Sequence, residues 1–183
     1  MAGLWNTMLS FVYATTEPHE ALLLGGNTAT LSEGRVTQFG PTIEVFRQPK
    51  DLITATTFSD PPLNTIVLRK HGPSFLLDGG VNLPAPADIT DGSYTIGFHP
   101  HHLSLTRPTR EAVSVPAKVT VTEITGSESF VHLQFADARW VMLAPGIRVF
   151  ESDEMVEVFI DPRHIMVFDQ NGRSVSAQQK LAA

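Results

Sequence analysis

The 183-residue sequence contains no cysteine. That one absence removes disulfide bridges, thiolate metal sites and a cysteine nucleophile together, and it agrees with a reducing compartment. Positive charge is also short: 13 Lys and Arg stand against 19 Asp and Glu, a formal net charge of -6. Without a basic field to gather phosphates, nucleic-acid binding loses its main source of affinity, so no nucleic-acid partner is expected. There is no run near 20 apolar residues. The opening MAGLWNTMLSFVY is apolar, but it has no basic residue ahead of its hydrophobic part and no small-residue cleavage pattern, so neither signal peptide nor membrane span is expected. Three catalytic signatures are missing as well: a Gly-x-x-x-x-Gly-Lys-Ser/Thr phosphate loop, a Gly-x-Ser-x-Gly nucleophile elbow and a His-Glu-x-x-His zinc helix.

What is present is the composition of a globular protein, 42% hydrophobic and 17% charged, with 13 Gly and 13 Pro spread along the chain. That spread favours short strands and turns over long helices. Phe11 to Thr15 reads as a strand. Thr16, Glu17 and Pro18 supply a cap, an acid and a first-turn proline for a helix that Gly25-Gly26 closes. The stretch NTATLSEGRVTQFG predicts a hairpin turning at Ser32-Glu33-Gly34. Short helices follow from Pro41 to Pro49 and over DLITATTFS, and Asp60-Pro61-Pro62 marks a domain boundary. Beyond it the period becomes two. KVTVTEI sets Val119 and Val121 on one face; FVHLQF turns Val131, Leu133 and Phe135 inward; MVEVFI does so with Val156, Val158 and Ile160, and HIMVF with Ile165 and Val167. LPAPADITDG reads as a loop, Gly79-Gly80 as a turn, and the tail after Arg173 as mobile.

Few residues offer chemistry. In FHPHHL, His99 and His101 share a strand face beside His102, and imidazole is a common transition-metal ligand, but Pro100 and the lack of a nearby carboxylate favour hydrogen bonding where a strand bends. No metal site is therefore expected. Glu151, Asp153 and Glu154 precede a regular strand and read as a solvated turn. In TEITGSES, Glu123, Ser127 and Glu128 surround Gly126; the turn is either a tight connection or the lining of a small-ligand pocket.

Taken in order, these pieces resemble the C-terminal half of an ABC-transporter ATP-binding subunit of the carbohydrate and glycerol-phosphate importer group. FVYATTEPHEALLL, SEGRVTQFG, EVFRQP and TTFSDPPLN stand at offsets that match the end of that family's nucleotide-binding domain. TIGFHPHHLSL, VTVTEITGSESFVHLQF and VEVFIDPRHIMVFDQNGR match the markers of its transport-associated OB-like (TOBE) domain. The resemblance implies an α+β chain: residues 1–60 a short α/β remnant of the nucleotide-binding domain, 61–173 an all-β OB-like barrel with a regulatory and dimerising role, and 174–183 a mobile tail. It places the family's switch histidine at Thr16, next to Glu17. A threonine there is shorter and carries no charge. His99 and His101 replace the family's Arg and Glu.

The family's phosphate loop, glutamine loop, signature motif and magnesium-binding strand are absent from the sequence. The chain as given is therefore expected not to hydrolyse ATP and to need no cofactor of its own, whereas the intact family uses ATP and magnesium. It reads as a truncated gene product, an expressed fragment or a free-standing regulatory remnant. The implied partners are a second copy or an intact ATPase subunit, and membrane-spanning subunits indirectly, at the cytoplasmic face of the membrane. The rival reading is a stand-alone OB-like module that binds a sugar or an oxyanion.

Overall fold

A computed structural model describes residues 11–175, and the apolar opening 1–10 and the tail from 176 onward lie outside the described residues. The described residues are mostly β, with three short α-helices among them: α1 (Pro18–Leu24), α2 (Thr42–Arg47) and α3 (Leu52–Thr57). None of the helices among the described residues is long and apolar enough to cross a membrane.

The hairpin is where the glycine signal put it. β1 (Asn27–Ser32) pairs antiparallel with β2 (Arg35–Pro41) around a turn in which Glu33 and Gly34 both take positive φ. Its faces are inverted relative to a hairpin lying on an apolar core. Ala29 pairs with Phe39 and Leu31 with Val36, and all four are exposed. Thr30 and Gln38 point inward and are buried. There Thr30 and Thr37 hydroxyls lie 2.7 Å apart, both reach Thr54 on α3, and the Gln38 amide spans Gln48 O and Lys50 N. Asp51 caps α3 by accepting from the Thr54 N–H at 2.7 Å, as its position before the helix requires.

Two five-stranded antiparallel sheets form the rest. One runs β12-β6-β3-β4-β5, from β3 (Asn64–His71), β4 (Ser74–Leu76), β5 (Asn82–Pro84), β6 (Gly92–Phe98) and β12 (Met166–Phe168). The other runs β10-β9-β8-β11-β7, from β7 (Leu103–Ser104), β8 (Val113–Ile124), β9 (Glu128–Phe135), β10 (Ala138–Pro145) and β11 (Met155–Ile160). The outer strands β7 and β10 of this second sheet approach each other, so it curls nearly into a barrel. A shared core lies between the sheets, with Phe75, Leu83, Ile96 and Phe98 from the first against Val115, Val131, Leu133, Trp140, Met142 and Val158 from the second. Asn64 ties them directly: its amide donates to Val141 O at 2.8 Å and accepts from Val141 N at 2.7 Å, standing in for one rung of a strand ladder.

Three local expectations are corrected. Phe11 to Thr15 forms no strand; these residues are exposed and have no neighbouring strand, and a strand exists only as a paired member of a sheet. The N-cap of α1 is Glu17, which makes no side-chain cap bond. Thr15, not Thr16, does the local bonding, its hydroxyl accepting from the Glu17 N–H and donating to Glu20. Val119 and Val121 do not share a face. A bulge at this point of β8 advances the register by one residue, burying Val119 and leaving Val121 53% exposed. In β9 the alternation holds, with Val131, Leu133 and Phe135 all buried.

A second, small core joins the helical segment to the sheets. Leu52, Ala55 and Leu63 pack on Met166 and Phe168. Gly97 makes the fit possible, because a Cβ there would lie 3.1 Å from Leu63 and 3.2 Å from Phe168. Backbone bonds from Leu52 N to Gly172 O and from Ser174 N to Lys50 O close this joint, and Val175 N donates to Val167 O.

Candidate functional site

Four histidines gather near this joint. The cluster is built by two 3-10 turns with the same local code. His99-Pro100-His101-His102 and Asp161-Pro162-Arg163-His164 each place proline at the first helical position, where its fixed φ suits the turn and its missing N–H costs nothing. The histidine two residues past each proline then projects at an equivalent position. His102 and His164 stack, with ring centroids 4.1 Å apart. His101 stands edge-on to His102 at 4.2 Å and stacks on His99 at 5.3 Å. The opposite side of His99 stacks on Phe46 of α2 at 5.1 Å, and its Nδ1 lies 3.1 Å from the Ser59 hydroxyl. The imidazole column thus runs from the sheets' 3-10 turns to the helical segment. A shallow cleft of ≈ 70 Å³ opens along it, lined in part by His19, Phe58, Asp60 and Pro100.

Burial, first of all, pushes His99 down to about 4, with His101 adding to the effect. His102 is pushed down to about 3, by burial first, then by His101, His164 and His99, while Asp161 opposes. His101 is lowered by burial and by His164. The His102 Nδ1 is buried with no hydrogen-bond partner. Next to the column, Asp161 is nearly inaccessible. Its hydrogen bonds from the Arg163 guanidinium, the leading cause, hold it down to about 2, with Arg163 N and the Thr109 hydroxyl contributing.

Rings stacked face to face aim their nitrogen lone pairs side by side rather than at one point. Among the described residues no three His, Asp or Glu side chains converge on a position that could hold a metal ion.

The remaining sequence candidates are dispersed. Thr16 and Glu17 are exposed ahead of α1. Glu123 hydrogen-bonds His132 across β8 and β9 at 3.0 Å. Gly126, Ser127 and Glu128 form an exposed, tight connection, closed by Thr125 N to Glu128 O and by Gly146 N to Ser127 O, with Gly126 at φ 104°. The turn from Glu151 to Glu154 is solvated, and Asp153 pairs with Lys118 at 2.7 Å. Sequence reasoning missed His164, Asp161, Phe46 and Ser59 as neighbours of the FHPHHL histidines. One signal was available: Pro-x-His occurs in both turns.

Residues 96–168 match the family model described as the TOBE domain. The chain is 28% identical over 168 residues to the sn-glycerol-3-phosphate import ATP-binding protein UgpC 3 of Agrobacterium fabrum, covering 90% of this chain and 47% of that protein. It is 27% identical over 136 residues to the corresponding UgpC of Escherichia coli, covering 72% and 38%. An uncharacterized ABC transporter ATP-binding protein, y4oS of Sinorhizobium fredii, is 30% identical over 131 residues, covering 68% and 34%. The chain therefore spans less than half the length of these relatives. A solved structure of the cytoplasmic molybdate-binding protein ModG, with molybdate bound, aligns at a TM-score of 0.44 and 11% identity over 57% of this chain and 93% of that one.

Proposed function

We propose that this chain, which carries a TOBE domain over residues 96–168, acts as the C-terminal regulatory and dimerisation portion of an ABC importer ATP-binding subunit of the sugar or glycerol-phosphate type. The observation that carries the reading is the similarity to a glycerol-3-phosphate import subunit over 90% of the chain, well beyond the 73 residues of the TOBE match. A TOBE match alone would leave residues 11–95 unexplained. In this reading residues 1–60 are the remnant of the nucleotide-binding domain, and Thr16 and Glu17 hold the position of its nucleotide switch. The chain has no phosphate loop, so ATP turnover is left to an intact subunit. Residues 61–173 modulate it at the cytoplasmic face of the membrane.

The inverted hairpin supplies the contact. Its polar face is satisfied internally, and its apolar face of Ala29, Leu31, Val36 and Phe39 is open. That face docks on an intact ATP-binding subunit or, at high concentration, on a second copy. In sedimentation velocity with a purified glycerol-3-phosphate import ATP-binding subunit, the wild type should co-sediment. L31S/F39S should stay monomeric and fold normally. A wild-type chain that remains monomeric alone and in the mixture defeats the reading. The rival reading, a sugar- or oxyanion-binding module, predicts heat on titration with glycerol phosphate, sugars or molybdate, and none is expected here.

A further inference from the structure

We propose that the imidazole column formed by His99, His101, His102 and His164 is a proton-sensitive latch, which holds the helical segment of residues 42–60 to the β sheets while the rings are neutral and releases it when they protonate. This inference goes beyond the transporter reading and does not depend on it.

The geometry carries it in three steps. The column bridges two parts of the fold, since His99 is clasped by Phe46 and Ser59 on one side while His102 stacks on His164 on the other. Neutral imidazoles stack as aromatic rings do, but imidazolium ions 4 to 6 Å apart repel each other. Protonation also makes both ring nitrogens donors. The buried Nδ1 of His102 would then be a donor without an acceptor.

The surrounding charges do not offset this. From their own turn His99, His101 and His102 face only one another, and His164 shares its turn with the paired Asp161 and Arg163. From the second turn come His164 and Asp161, and Asp161 is already occupied by Arg163 and Thr109; Arg163 itself feels Glu111. From the helical segment come Phe46 and Ser59, which carry no charge, and Asp60, which pairs with His19 on α1 at 3.8 Å in an exposed contact worth little. β10, which packs against the first turn, has Arg139 as its only charged residue, and that residue is exposed.

The depressed values of about 4 for His99 and about 3 for His102 agree with this geometry and fix its sign. A histidine held below its unfolded value stabilises the closed joint at pH above that value, and the stabilisation is lost as pH falls from the unfolded value of 6.5 toward the folded one.

The test is amide hydrogen exchange of the full chain at pH 7.5 and pH 5.0, with protection factors corrected for the intrinsic pH dependence of exchange. Peptides covering residues 43–58 are expected to lose protection on the order of tenfold at the lower pH, while those covering β9 keep theirs. In H101Q/H164Q, which keeps His99 and His102, fewer groups titrate and the remaining two rings are less crowded, so the loss should shrink. Equal protection of residues 43–58 at both pH values, or an undiminished loss in the variant, overturns the proposal. Should the variant fail to fold, NMR titration of the wild-type imidazoles decides. Depressed midpoints for His99 and His102 that coincide with shifts in residues 43–58 support the latch, and four independent titrations near the ordinary histidine value overturn it.

Discussion

At the scale of single residues, two buried polar groups each satisfy several partners. Asn64 replaces a missing rung between the two sheets by bonding both polar atoms of Val141. Truncation leaves the partly buried N–H and C=O of Val141 without partners, and such groups cost roughly 1 to 3 kcal/mol each. N64A is expected to lower stability by about 2 to 4 kcal/mol in urea unfolding, and N64D by at least as much, because a carboxylate accepts from Val141 N but cannot donate to Val141 O. Asp161 provides the pH counterpart. Its carboxyl is held down to about 2, chiefly by Arg163, so its contribution is present above its unfolded value of 3.8 and is lost as pH falls through about 2. Carboxyl carbon NMR should show this resonance titrating below those of the exposed acids, and R163Q should move it upward. The Asp161 pairing lies within one turn, whereas that of Asn64 was not legible beforehand. Asn64 and Val141 are 77 positions apart, and alternation of apolar residues says nothing about where a single amide finds its complement.

Among the elements, the hairpin and β8 show how far pattern reading reaches. Ser32-Glu33-Gly34 fixed the turn because few residues other than glycine take positive φ cheaply, but the register shifts by one between Thr30 and Leu31, where Thr37 is left without an opposite residue. Which face would be buried did not follow, since burial depends on what lies alongside. Here α3 lies alongside the polar face, through Thr54, which is fully buried and contacts the hydroxyls of both Thr30 and Thr37. T54V keeps shape and removes that shared partner. We expect a loss of about 1 to 2 kcal/mol, with hydrogen-exchange protection falling in the hairpin and α3 and unchanged in β9. In β8 the two-residue period fails at the bulge, because one extra residue shifts every side chain beyond it to the other face. Strict alternation in β9 faces that bulge across the ladder, so only the pairing reveals it.

For the whole molecule, the question is whether the β sheets stand without the helical segment. Their shared core includes no residue before Leu68 among its buried members, whereas the joint to the helical segment is a small patch around Leu63, Met166 and Phe168. A chain of residues 62–175 is therefore expected to unfold cooperatively in calorimetry, with a lowered midpoint, and a non-cooperative melt would show that the division at Asp60-Pro61-Pro62 is wrong. Trp140 packs on Phe98 and Phe135 where the sheets meet, so W140A should cost roughly 3 to 5 kcal/mol in both versions. The sequence by itself determined the turns, most strand positions, the absence of a phosphate cradle and the resemblance to an importer subunit, because each of these rests on a few adjacent residues or on motifs in fixed order. Only the tertiary structure decided that the hairpin's apolar side is the open one and that Phe46, His99, His102 and His164 form one column. The physical reason is that burial, repulsion between rings and the depression of a histidine depend on distances between distant parts of the chain, which a linear pattern does not contain.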